Sequence, residues 1–311
     1  MQITYLAFLT PADAPRWKRI LLSPLMRIVW FALMFCVFAY GIKYTPAAFG
    51  WKIMGSELKT SVWAVSILLG TPLLAYLVLV RLIEQRDVAE LSLRKIPTLG
   101  GFGLVVGSLV YSTIVGVLWL LGSYHVIGTN AHPDWNQFLN PILWALAGEI
   151  VARGVLFRIT EEGLGTWIAL AISAAAFGIG HMFIPGAPWW SSVAYAVEGG
   201  LMLPMVYHLT RSLWACVGVH LAWNLMQGLV YGMPADGPDV YGLLESNRTG
   251  PDWLTGGSLG AEASVVSIAA CGLCTIALVL VAQRRKSIVA PSWRRTDPTA
   301  PTGWDRLDKM R

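Results

Sequence analysis

The chain has 311 residues, of which 55% are hydrophobic and 13% are charged, and its mean hydropathy is +0.57. Soluble domains carry roughly 25% charged residues, so this composition excludes an ordinary soluble globular protein. The 15 tryptophan residues agree with a membrane protein, because indole rings favour the boundary between lipid and water. We therefore predict a multi-pass integral protein of the cell membrane.

Apolar stretches long enough to cross ~30 Å of hydrocarbon recur along the chain and predict an all-α fold of about eight transmembrane helices. Residues 1–24 carry their positive charges after an apolar stretch, so we expect an interfacial segment there and not a cleavable signal peptide. Residues 25–283 form the predicted transmembrane domain, and residues 284–311 form a basic cytoplasmic tail that we expect to be loosely ordered. The predicted spans are Leu25–Ile42, Ser61–Ile83, Gly101–Leu121, Phe138–Arg158, Trp167–Phe183, Ser192–Leu209, Leu213–Tyr231 and Ala263–Ala282.

Basic residues are concentrated in alternate connections between the predicted spans. Arg86, Arg94 and Lys95 lie between the second and third spans, whereas residues 123–135 contain no Lys or Arg. Because Lys and Arg accumulate on the cytoplasmic side of a membrane, we predict that both termini are cytoplasmic. The formal net charge of +5 then reflects membrane topology, and we expect the lipid bilayer, but no nucleic acid, as a partner.

Several predicted spans contain polar side chains that lipid excludes. An ionisable group at the centre of a membrane helix costs at least ~2.5–3.5 kcal/mol, so it needs a partner or a function. Glu149 and Arg153 are four residues apart, which puts them on one helix face where they can pair. His220 and Asn224 have the same spacing and also share a face.

The fifth and sixth spans carry His181 and Glu198, and Phe177 lies one helical turn before His181. Small residues are frequent in the same helices and allow the backbones to approach closely. A single polar cavity between the fourth to seventh spans would satisfy all of these polar groups. From spacing alone three interpretations stay open, namely a hydrolytic site, a path for a proton or solute, and polar packing between helices.

The residue types favour hydrolysis, because Glu or His can remove a proton from water while His with Asn can hold a developing oxyanion. The same side chains offer zinc ligands in His181, His220 and Glu149. The sequence has no HExxH motif, however, which is the usual arrangement of zinc proteases. We therefore expect no metal or other cofactor and keep zinc as the alternative.

These residues resemble the CAAX-protease and bacteriocin-processing family of intramembrane endopeptidases, which has the ordered motifs Glu-Glu-x-x-x-Arg, Phe-x-x-x-His and His-x-x-x-Asn. The second motif is present from Phe177 to His181 and the third from His220 to Asn224, and the similarity extends over residues 85–283. The resemblance implies direct attack of water on a peptide bond, without a covalent intermediate. It also implies a membrane-associated peptide or protein substrate, with prenylated CAAX proteins and bacteriocins as alternatives.

The first motif departs from the family pattern. Gly148 stands where the first Glu is expected, and Glu149 occupies the second position. The resemblance implies that the first carboxylate and His181 activate the water, while His220 and Asn224 hold the oxyanion. Glycine has no proton acceptor, so the usual general base is missing from this chain.

Two carboxylates are candidates for the missing base. We assign proton handling to Glu149 with His181, the orientation of Glu149 to Arg153, and a supporting packing role to Phe177. Arg153 should make Glu149 a weaker base, because a neighbouring positive charge favours the ionised carboxylate. Glu198 is the second candidate. A slow protease, an inactive scaffold or binding protein derived from the protease fold, and a transporter therefore stay open as alternatives.

Other polar residues have simpler interpretations. We expect Glu161 and Glu162 to be solvated charges at a helix end, and His208 to lie at the membrane interface. Glu262 is expected at the start of the last span, where an acid is favourable near a helix N-terminus. The connections at residues 123–135 and 232–262 are expected to be loops, and the four cysteines to be packing residues.

Overall fold

The computed structural model describes residues 14–48, 63, 65–133, 135–182, 189–233 and 242–295. The start of the predicted second span, the end of the fifth, and most of the predicted interfacial segment and tail lie outside these residues. The chain is mostly helical. The main helices are α1 (Arg16–Leu21), α2 (Pro24–Ala48), α3 (Ser66–Ile83), α4 (Leu93–Leu120), α5 (139–164), α6 (Thr166–His181), α7 (191–210), α8 (Leu213–Val230) and α9 (Val265–Arg284).

Five of these helices are long and apolar enough to cross a membrane, namely α2, α3, α4, α8 and α9. The chain is also helical where the fourth, fifth and sixth spans are predicted. Of these three helices, α6 has 16 residues, while α5 and α7 carry charged side chains that lower their mean hydropathy. A multi-pass membrane protein is therefore supported, whereas the number of eight spans stays a prediction.

The prediction of an all-α fold missed two short strands. Residues Tyr124–Thr129 (β1) and Leu244–Arg248 (β2) form an antiparallel two-stranded sheet, with Tyr124 opposite Arg248. Both strands lie in connections that we expected to be loops. The pairing joins segments far apart in the chain, so no local hairpin signal reveals it.

The chain divides into two compact units. The first consists of Met1–Glu90, Leu146–Ala169 and Ile288–Arg311, and the second of Leu91–Ala145 and Leu170–Ser287. The predicted domain boundaries after residues 24 and 283 stay predictions.

Helices α4 and α8 pack closely in the second unit because glycines line their contact. A Cβ atom at Gly103 would lie 2.3 Å from the carbonyl oxygen of Ala215, and one at Gly218 would lie 2.2 Å from that of Gly100. No side chain fits in such gaps. This is the small-residue packing by which membrane helices associate, and it fixes the helix that carries His220 and Asn224.

A buried charge cluster occupies the first unit. Arg27 donates to Glu84 Oε1 at 2.9 Å and to Glu162 Oε1 at 2.7 Å. Arg158 donates from Nη2 to the same oxygen of Glu84, also at 2.9 Å. Arg86 donates from Nε to Glu84 Oε2 at 2.8 Å. The cluster consists of Arg27, Glu84, Arg86, Glu90, Arg158 and Glu162.

Glu84 follows the end of α3 and accepts hydrogen bonds on both carboxylate oxygens. Burial raises its pKa, but the positive charges of Arg158, Arg86 and Arg27 outweigh that effect and lower the pKa from the ordinary 4.5 to about 2. Glu84 is therefore ionised at neutral pH, and its charge holds three guanidinium groups together.

The expectation that Glu161 and Glu162 are solvated is wrong. Glu161 is fully buried and accepts a hydrogen bond from Thr166 Oγ1 at 2.9 Å. Glu162 is also buried and pairs with Arg27. In the sequence this end of α5 has no charged partner nearby, so we expected it to be exposed. In the folded chain, Arg27 and a segment that follows α9 pack against it.

That further segment is the beginning of the tail that we expected to be loosely ordered. Thr166 N donates to Val289 O at 3.0 Å, and Val289 N donates to Thr166 Oγ1 at 2.9 Å. Gly165 ends α5 with φ of +81°, and a Cβ atom there would lie 2.7 Å from Val289 O. Glycine meets both demands because it tolerates positive φ and has no side chain.

Candidate active site

His181 is the last residue of α6, and its orientation is fixed by one hydrogen bond and two aromatic rings. Its Nδ1 lies 2.7 Å from the carbonyl oxygen of Phe177. A carbonyl can only accept, so Nδ1 carries the proton and Nε2 is left with a lone pair when the ring is neutral. The imidazole stacks on Tyr195 with ring centres 3.9 Å apart and on Phe177 at 5.8 Å.

His220 and Asn224 lie one turn apart on α8, as their spacing predicts, and both are half-buried. The Asn224 side-chain amide donates from Nδ2 to the carbonyl oxygen of Pro141 at 3.0 Å. An amide nitrogen has two hydrogens, so one such bond orients the group and leaves a second donor. The pair therefore offers polar hydrogens in a fixed orientation.

Two buried carboxyl groups belong to the same region of the second unit. Glu198 accepts a hydrogen bond from the Ser267 hydroxyl, and Glu262 Oε1 accepts one from the Tyr195 hydroxyl at 2.8 Å. Each of the two glutamates is 6% exposed. The hydrogen bonds described for them come from neutral hydroxyl groups.

These groups line one cavity of about 120 Å³ in the second unit. A single water needs roughly 10–15 Å³ on this kind of measure, so the cavity has room for several waters or a small part of a substrate. Four predicted site residues thus share one cavity wall, together with Phe177. The lining residues that matter here are Phe177, His181, Tyr195, Glu198, His220, Asn224 and Glu262.

Glu149 and Arg153 belong to the first unit and are both fully buried. Arg153 Nη1 donates to Glu149 Oε1 at 3.1 Å, so the pairing that the four-residue spacing predicts is present. Glu149 is the last α-helical residue before the π-helical segment Ile150–Phe157.

Other candidate residues also lie where a helix changes its winding. Glu198 begins the π-helical segment Glu198–Met202, and Asn224 directly precedes the segment Leu225–Val230. Such bulges are frequent at functional sites, because they redirect side chains that a regular helix would point elsewhere. Other π-helical segments, such as Leu79–Ile83, contain no candidate residue. A π-helical segment at a candidate residue therefore agrees with a functional role but does not establish it.

Residues 130–226 match the model of the type II CAAX prenyl endopeptidase Rce1-like family. The match covers less than half of the chain, and it includes the segments that carry all three sequence motifs. No curated protein and no solved structure matches the chain.

Sequence reasoning missed the place of Glu262. It does not begin the last helix, because α9 starts at Val265 and is capped by Ser264, whose Oγ accepts from Ser267 N at 3.1 Å. Glu262 instead belongs to the 3-10 turn Ala261–Ala263 and lines the cavity. One signal in the sequence could have indicated this role. Glu262 is an acid within the stretch GGSLGAEAS, which contains no Lys or Arg to pair with it.

His208 makes a contact that the sequence did not predict. It is fully buried, and its Nε2 lies 3.0 Å from Ser287 Oγ; its position at the membrane interface stays a prediction. Its partner follows α9, far away in sequence, and no local pattern predicts the contact.

The zinc alternative requires at least three ligands around one point. Among the residues that the structure describes, no group of three or more His, Cys, Asp or Glu side chains could hold a metal ion. Zinc stays the alternative to direct proton transfer.

Proposed function

We propose that the protein is an intramembrane endopeptidase of the CAAX-processing type, which hydrolyses peptide bonds of membrane-associated substrates with an activated water. The single observation that carries the proposal is the shared cavity of His181, Glu198, His220 and Asn224. The family match over residues 130–226 supports it, because the matched model is named for a prenyl endopeptidase.

In the proposed reaction His181 and a carboxylate together activate the attacking water. His181 contributes Nε2, whose lone pair is available because Nδ1 is hydrogen-bonded to Phe177 O. His220 and Asn224 donate hydrogen bonds to the oxyanion that forms on the carbonyl carbon. A carboxylate assists His181. Glu149, oriented by Arg153, is the candidate from the sequence, and Glu198 is the second candidate.

The proposed substrate is a peptide or protein held at the membrane, with prenylated CAAX proteins as the class that the matched family model suggests. Bacteriocin-like and other membrane-associated peptides are the alternative. The proposed location is the cell membrane, with both termini cytoplasmic.

Gly148 favours one competing function. A carboxylate is expected at this position and glycine supplies none, so the chain is alternatively a catalytically inactive scaffold that binds membrane-associated partners.

The test is proteolysis by purified protein in liposomes, using a prenylated CAAX peptide and the same peptide without the prenyl group. Cleavage that is lost in His181→Ala supports the endopeptidase. If wild type cleaves neither peptide and Gly148→Glu creates activity, the scaffold replaces the proposal.

A further inference from the structure

Gly148 leaves the first motif without its proton acceptor, and two carboxyl groups in the cavity of the second unit are candidates to replace it. Glu198 comes from α7 and Glu262 from the turn before α9, and both line the cavity that also contains His181. Each of the two carboxyl groups is almost fully buried. Buried acids that share one cavity are candidates for a functional site.

Glu198 lines the cavity and is held by a hydrogen bond from outside its own helix. Among the described residues its hydrogen-bond partner is the Ser267 hydroxyl, which donates to Oε1. Ser267 is itself held in place, because its backbone nitrogen donates to the Ser264 side chain at the start of α9. The bond from Ser267 therefore holds the carboxyl group of Glu198 in place at the cavity that Glu198 lines.

Glu262 is held by a rigid turn. Trp190 Nε1 donates to Ala263 O at 3.2 Å, and Gln227 Nε2 donates at 3.1 Å to the carbonyl oxygen of Leu259, which precedes the turn. Hydrogen bonds on both sides of Glu262 therefore hold this part of the backbone. The carboxyl group accepts from the Tyr195 hydroxyl, and the ring of the same tyrosine stacks on His181. Tyr195 thus connects Glu262 to the imidazole.

Glu149 has a different described partner, the guanidinium of Arg153 at 3.1 Å. The hydrogen bonds described for Glu198 and Glu262 come instead from the neutral hydroxyl groups of Ser267 and Tyr195.

We infer that Glu198 is the catalytic base of the cavity and that Glu262, through its contact with Tyr195 and its charge beside Glu198, is the positioning residue that keeps Glu198 and His181 in place. The inference rests on the proposed function. It assigns to these two glutamates the role that Gly148 cannot perform.

The reaction balances with water as the co-reactant. Glu198 takes a proton from a water molecule that hydrogen-bonds to His181 Nε2. At the same time the water oxygen forms a bond to the carbonyl carbon, and the carbonyl electron pair moves to the carbonyl oxygen. That oxyanion is held by His220 and Asn224. When the electron pair returns, the C–N bond breaks and the leaving nitrogen takes the proton back from Glu198, which leaves an acid, an amine and the starting carboxylate.

The experiment compares Glu198→Gln, Glu262→Gln and Glu149→Gln in the liposome assay. Glu245→Gln is the matched control, because Glu245 is an exposed glutamate of the second unit outside this cavity. For Glu198→Gln we expect kcat to fall by ~10²–10⁴-fold, the usual contribution of a general base. For Glu262→Gln we expect a fall of roughly 10- to 100-fold, the usual effect of losing a hydrogen bond to a charged group.

In both cavity variants KM and the thermal unfolding temperature should stay close to those of wild type. A purely structural role predicts the opposite, a lowered unfolding temperature with kcat restored at lower temperature. Glu262→Asp keeps the charge and should recover part of the lost kcat.

Two outcomes overturn the inference. If Glu198→Gln retains wild-type kcat, the inference fails while the proposed function stands, and a loss of cleavage in Glu149→Gln then assigns the base to Glu149. If wild-type protein cleaves no substrate, the proposed function fails, and the assignment of Glu198 and Glu262 fails with it.

Discussion

Replacement of Glu84 by Gln should destabilise the protein strongly, because this residue is the centre of the buried charge cluster. The neutral amide keeps the size of the side chain but removes the negative charge that Arg27, Arg86 and Arg158 contact. Removing one partner of a buried ion pair costs roughly 3–5 kcal/mol, because the remaining charges are left uncompensated.

The lowered pKa of Glu84 gives a second estimate of how much this residue contributes to the free energy of unfolding. The difference between the ordinary 4.5 and about 2, at ~1.4 kcal/mol per pKa unit, corresponds to ~3 kcal/mol of stability. Because the pKa is lowered in the folded state, this contribution is fully present above pH 4.5 and is lost as the pH falls towards 2. Near pH 3 about half of this contribution to stability should remain.

The assay is the free energy of unfolding in mixed detergent micelles, measured at pH 7 and pH 3 for wild type and Glu84→Gln. The variant should be ~3 kcal/mol less stable at pH 7 and only ~1.5 kcal/mol less stable at pH 3. The control is Asp87→Asn, which removes the solvent-exposed pair with Arg81 and should cost less than ~1 kcal/mol. Equal effects of the two substitutions, or a Glu84→Gln effect independent of pH, would refute the reasoning.

Further predictions concern packing, catalysis, metal dependence and topology. Gly199→Val should destabilise the second unit by ~1–3 kcal/mol in the same unfolding assay. The reason is that a Cβ atom at Gly199 would lie 2.4 Å from the Phe177 ring. An unchanged free energy of unfolding would contradict this packing. His220→Ala should lower kcat by ~10²–10³-fold in the liposome assay, the usual effect of removing an oxyanion donor, and a change confined to KM would count against that role. Chelation should leave cleavage intact, whereas a loss that added zinc restores would favour the zinc alternative. A cysteine introduced at the exposed His125 should react with a membrane-impermeant maleimide from outside intact cells, and protection there would reverse the predicted topology.

Local patterns in the sequence were sufficient for several features. The four-residue spacing of Glu149 and Arg153 predicted an ion pair that is present. The spacing of Phe177 and His181 predicted a ring contact one turn apart, and the rings do stack. Such contacts are predictable because helix geometry alone brings residues four apart onto one face.

Features that depend on distant partners were not predictable in this way. From the sequence we expected Glu162 to be solvated at a helix end, whereas the fold pairs it with Arg27. The contact between His208 and Ser287 was likewise not predictable. Glu262 was assigned to a helix N-terminus, whereas the turn that carries it contacts Tyr195 instead.

The sequence by itself determined that the chain is a helical membrane protein and which helices carry ionisable groups. The cost of placing a side chain in hydrocarbon is a property of each local segment, so it can be summed along the chain without knowledge of the fold. Only the tertiary structure decided which of those groups share a cavity. Which groups share a cavity depends on how helices far apart in sequence pack against each other. The packing depends in turn on contacts between different helices, such as those of Gly103 and Gly218, which cannot be read from either helix alone.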